Sequence, residues 1–101
     1  MQANVQTFEG KAIISLNGRF DFHAHREFKD ACEAPLKLPE VKALEIDFGD
    51  VAYLDSSALG MLLMLKDKTQ AANKALYLVN CHGTVRQVLE IANFTKIFNV
   101  K

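Results

Sequence analysis

The chain has 101 residues, half of them apolar, with 12 basic side chains against 12 acidic ones and no net formal charge. This length fits one globular domain, and the composition excludes intrinsic disorder, whose mark is low hydrophobicity with high net charge. It also lacks the clustered Lys and Arg with which a nucleic-acid binder neutralises phosphates, so no nucleic-acid partner is expected.

In chain order, Val5 to Phe8 and Ala12 to Leu16 read as two short strands joined by Glu9-Gly10-Lys11, with Gly10 available for a positive φ. Asn17-Gly18 closes the second strand. Ala24, Phe28, Ala31 and Cys32 recur at helical spacing between charged residues, which predicts an amphipathic helix ended by Pro35. Ala43 to Phe48 alternates as a strand, and Gly49-Asp50 turns the chain into Val51-Ala52-Tyr53-Leu54. The run Ala58 to Leu65 is apolar nearly all round, so this second helix is expected to be buried on most sides before it turns polar at Lys66-Asp67-Lys68. Ala75 to Val79 is a further strand, Val85, Val88, Leu89 and Ala92 form the stripe of a last helix, and Phe94 to Val100 adds a short edge strand. The expected fold is α/β: a mixed sheet of four to six strands carrying about three main helices, in one domain over residues 1–101.

No apolar stretch reaches the ~20 residues needed to span a bilayer, and Met1 to Val5 does not open a signal peptide, so the expected location is the cytoplasm. Cys32 and Cys81 are too far apart for a Cys-x-x-Cys motif and too few for a disulfide framework. Both read as small buried apolar residues. The charge is uneven along the chain: residues 1–50 carry 9 acidic and 6 basic side chains, and residues 51–101 carry 3 and 6.

One segment reads as a site. Leu54-Asp55-Ser56-Ser57-Ala58-Leu59-Gly60 lies where a buried strand ends and the most apolar helix begins, with Ser56 as the expected N-cap. A hydroxyl at a helix N-terminus is also placed to carry phosphate, because the unpaired N–H groups and the positive dipole end stabilise the added charge. Asp55, with Asp47 and Asp50 expected nearby, would oppose that charge.

Tyr53 to Gly60 resembles the signature of STAS domains, in particular the bacterial anti-sigma factor antagonists, in which Asp-Ser-Ser/Thr-Gly-Leu-Gly opens the second helix. Gly18-Arg19-Phe20-Asp21 resembles the family's Gly-x-hydrophobic-Asp turn, and element order and length agree along nearly the whole chain. Ala58 stands where most members have Gly. The resemblance implies a protein whose unphosphorylated form binds an anti-sigma factor or a related HATPase-type Ser/Thr protein kinase, and which phosphorylation releases. It puts the phosphoacceptor at Ser56 and a switch surface at Asp21, Asp55, Ser57, Ala58 and Leu59. A Ser/Thr phosphatase resets the switch. ATP and Mg²⁺ then belong to the kinase: the chain has no Gly-rich phosphate loop, and neither a cofactor, a metal nor a catalytic residue is expected on it. A monomer or weak dimer is expected.

Three other readings use the same residues. A small serine hydrolase would draw on Ser56 or Ser57 with His82, His25 and Asp55, but the Gly-x-Ser-x-Gly elbow is absent. A zinc site would need His23, His25, Cys81 and His82 to converge. A STAS accessory subunit of a lipid transporter, or a signalling scaffold, would keep the fold without using the serine.

Overall fold

The computed structural model describes residues 1–101. Strand β1 (Gln2–Phe8) and strand β2 (Lys11–Phe20) form a hairpin whose loop is only Glu9-Gly10, because Lys11 already pairs with Phe8. Both loop residues take positive φ, +49° and +81°, as the right-handed twist of a tight hairpin requires. A short 3₁₀ turn, Phe22–Ala24, leads into α1 (His25–Lys37). Strand β3 (Ala43–Leu54), helix α2 (Ser56–Ala71), strand β4 (Ala75–Val79) and helix α3 (Gly83–Ile91) follow, and a 3₁₀ turn at Phe94–Lys96 precedes the two-residue β5 (Asn99–Val100). The five strands lie in sequence order, β1 antiparallel to β2 and the others parallel, which is the mixed α/β sheet expected.

Alternation decides which side of the sheet is core. Ala12, Ile14 and Leu16 on β2, Leu44, Ile46 and Phe48 on β3, and Leu76 and Leu78 on β4 are buried. Their neighbours Ile13, Glu45 and Tyr77 are only half-buried and line up across the sheet. The helices pack on the first of these faces.

The structure corrects the sequence at three places in the strands and helices. Asn17-Gly18 does not end β2, and Gly49-Asp50 is not a turn. Between Asp47 and Tyr53, β3 twice inserts one residue more than β2. Each bulge shifts the side-chain phase, so Phe48, Val51 and Leu54 all face the core at a spacing of three, and the strand runs on unbroken. Pro35 sits inside α1, which continues to Lys37: the proline forgoes one i→i−4 bond but its φ is helical, and only two residues follow it in the helix. The third correction concerns α2, which is not buried all round. Ala58, Met61, Leu62, Leu65 and Thr69 face inward, whereas Leu63 and Met64 are 40% and 52% exposed.

Cys32 is buried and its thiol is pushed up to about 12, chiefly by desolvation against a smaller pull from Lys68. Cys81 is half-buried, and burial pushes its thiol up to about 11, with Arg86 opposing and Asp47 adding. Both stay protonated near neutral pH, consistent with packing roles.

Candidate functional site

The site forms where β2 and β3 end together. Phe20 and Leu54, the last residues of the two strands, pair in register, and the Asp55 N–H donates to the Phe20 carbonyl at 3.2 Å. This bond sets the turn after β2 beside the start of α2. Asp21 adopts extended backbone and caps the 3₁₀ turn, its Oδ1 accepting from the His23 N–H at 3.0 Å. Arg19 and His23 flank the same carboxylate, at 3.7 Å and 3.5 Å. The Arg19 guanidinium also lies over the Tyr53 ring, 4.2 Å from its centroid, while its side chain stays largely exposed.

At α2 the cap is Asp55, not Ser56. Asp55 is extended (φ −112°, ψ −176°), and its Oδ1 accepts from the Ala58 N–H at 3.0 Å. Asp and Ser cap helices about equally well, and here the carboxylate is one residue earlier, at the point where the strand geometry ends. Ser56 and Ser57 become the first two helical residues, both exposed. Their N–H groups lie in the turn that has no intrahelical acceptors, at the positive end of the dipole. Ala58 is fully buried, so its methyl group belongs to the core and not to the surface of the loop, and Leu59 is half-buried against that core.

Asp55→Ala is expected to lower stability by about 1 kcal/mol, while Asp55→Ser restores most of the loss, as read from urea unfolding. Gly60 has the opposite sign. It is exposed inside the helix, and nothing lies within 4 Å of where a Cβ would stand. Gly60→Ala should therefore stabilise by about 0.5–1 kcal/mol, a thermal midpoint a few degrees higher.

Asp47 does not join the site. Asp47 lies eight residues back along β3, on the order of 20 Å at strand rise, and its carboxylate is held by the Gly49 N–H at 2.8 Å and the Asn80 amide at 3.0 Å. Nor does the hydrolase arrangement assemble: Asp55 is committed to the cap, and the His82 Nε2 lies 3.0 Å from the Gly49 carbonyl. No three of His23, His25, Cys81 and His82 come together as metal ligands would. Sequence reasoning missed Phe22, which is 62% exposed and rests on His23, 3.9 Å between ring centroids. An apolar residue directly after the capping Asp21 was the available signal.

No helix is long and apolar enough to cross a membrane. In known proteins, the chain is 44% identical to a STAS-domain containing protein of Pseudomonas aeruginosa (strain UCBPP-PA14) over 87 residues, covering 86% of this chain and 84% of that one. Its fold is that of a Thermotoga maritima protein described as a putative anti-sigma factor antagonist, at TM-score 0.87 and 18% identity over 97% of this chain and 84% of that one. It also matches the anti-sigma factor antagonist SpoIIAA in its unphosphorylated form, at TM-score 0.73 and 19% identity over 98% of this chain and 86% of that one. The family model for the STAS domain matches residues 2–101, and with paired strand ends, a capped second helix and a close relative of the same kind, the chain belongs to the STAS domain family.

Proposed function

We propose that this chain is an anti-sigma factor antagonist of the partner-switching kind, acting in the cytoplasm by binding and not by catalysis. Unphosphorylated, it binds an anti-sigma factor or HATPase-type Ser/Thr kinase through the surface around Asp21, Asp55, Ser56 and Ser57. Phosphorylation of Ser56 releases the partner, and a Ser/Thr phosphatase restores the binding form.

The observation that carries this reading is the division of labour at the start of α2. Asp55 takes the capping bond, so the Ser56 hydroxyl is exposed and not needed to hold the helix. A kinase can reach it, and a phosphate there meets the free N–H groups and dipole of the first turn without unfolding it. Phe22, exposed on the 3₁₀ turn that packs against α2, adds an apolar group to the same region of the surface. SpoIIAA, which shares the fold, is known in unphosphorylated and phosphorylated forms.

The test is to recover partners with Ser56→Ala from native lysate, treat the wild-type chain with ATP and the recovered partner, and map the modified residue. Phosphate on Ser56 is expected. Phosphate on Ser57 alone, or on no residue, overturns the assignment.

A further inference from the structure

Beside the serine site, α1 and α2 run in the same sense and leave a shallow groove between them. Phe28 and Cys32 from α1 and Met61 and Leu65 from α2 form its floor, and Met64 stands half exposed on its lip. The groove continues past Leu36 to Lys37 and Ala71. From His25 to Lys37 it follows α1 for about 18 Å at helical rise, roughly three turns. Its rim is cationic. Lys29 and Lys68 border the floor together with His25, and the one carboxylate along it, Glu33, is paired with Lys37 at 3.4 Å.

From this we propose that the groove docks an acidic amphipathic helix supplied by the partner. A trough between two helices takes the ridge of a third, apolar side chains of the incoming helix meet Met64 and the half-buried Leu36 above a buried floor, and Met64 adapts to their shape. Its flanking carboxylates face Lys29 and Lys68, neither of which forms an ion pair within the chain, so charge steers the choice of an acidic segment over a basic one. The groove is also electrically close to the serine. Met61 follows Ser56 by five residues, about 8 Å along the helix, which is about one Debye length at physiological salt. A phosphate on Ser56 therefore repels the acidic helix at the mouth of the groove. That coupling rests on the switch reading; the docking does not.

Two synthetic helical peptides with the same apolar stripe, one flanked by glutamates and the other by lysines, are titrated into the ¹⁵N-labelled chain. The glutamate peptide is expected to give saturable shifts confined to residues 25–37 and 60–72, and the lysine peptide none. Lys29→Glu with Lys68→Glu should weaken the glutamate peptide more than about tenfold, gain the lysine peptide, and leave thermal unfolding unchanged. Absent shifts, equal binding of both peptides, or indifference to the double charge reversal overturns the proposal. So do shifts that appear on concentrating the chain alone, which assign the groove to a second copy, and saturation by decanoate without response to the glutamate peptide, which assigns it to a free amphiphile. In Ser56→Asp the glutamate peptide should bind several-fold more weakly. Unchanged affinity there supports docking but overturns its coupling to the serine, whereas failure of the switch itself is read separately, from the phosphate map.

Discussion

Phe20→Ala is expected to destabilise the chain by about 3–5 kcal/mol, a large share of the ~5–15 kcal/mol that holds a domain of this kind folded. Phe20 is fully buried at the end of β2. Its ring centroid lies 4.9 Å from Phe28 on α1 and 6.2 Å from Phe48 on β3, so one side chain ties the hairpin, the first helix and the central strand together. Removing it leaves a cavity that two other aromatic rings border and cannot close without moving backbone. The same residue's carbonyl accepts the Asp55 N–H, so loosening this corner also loosens the start of α2. Urea unfolding with an unchanged slope should report the loss as a lower midpoint, and Phe20→Leu should lose much less because most of the volume stays. A loss below about 1 kcal/mol for Phe20→Ala would mean that the corner repacks freely, against the close contact of the three rings.

How far the fold was readable follows from which signals are local. Alternation in Ala12 to Leu16, Ala43 to Phe48 and Ala75 to Val79 located three strands, and the stripe Val85 to Ala92 located α3, because each pattern states its own buried face. The bulges of β3 broke that logic. A strand that changes phase twice within seven residues shows apolar positions three apart, and Gly49-Asp50 in the middle of it carries the composition of a turn. Only pairing with β2, a contact distant in sequence, keeps it extended.

Helix α2 failed for a different reason. An all-apolar helix leaves no stripe by which to choose its inner face, and the neighbours of α2 made the choice, leaving Leu63 and Met64 outside. At the site, the motif located the segment but not the roles within it. Asp55 and Ser56 are both good caps one residue apart, and the strand geometry of β3 decided between them. The groove between α1 and α2 was not legible at all, since it depends on how two helices far apart in sequence lie side by side.

Ser56→Asp and Ser56→Ala should separate by about tenfold in affinity for the partner, and phospho-Ser56 should bind about a hundredfold more weakly than the unmodified chain, near 3 kcal/mol. The ordering follows from charge and place. Alanine removes a hydroxyl that holds no part of the helix, so the surface seen by the partner changes little and affinity should stay within about twofold. Aspartate adds one negative charge, and phosphate adds about 1.5 to 2, at an exposed position beside Asp55 and Asp21. In the free chain that charge faces water and the positive end of α2, which favours it, so Ser56→Asp should unfold no earlier than wild type. In the complex the same charge loses its water and meets whatever the partner placed against a neutral hydroxyl, so the whole penalty falls on binding. Calorimetric titration of the recovered partner, run beside thermal unfolding of each variant, separates a weakened interface from a weakened fold. Equal affinity of the alanine and aspartate variants would show that the partner does not read the charge at Ser56, and would overturn the proposed switch.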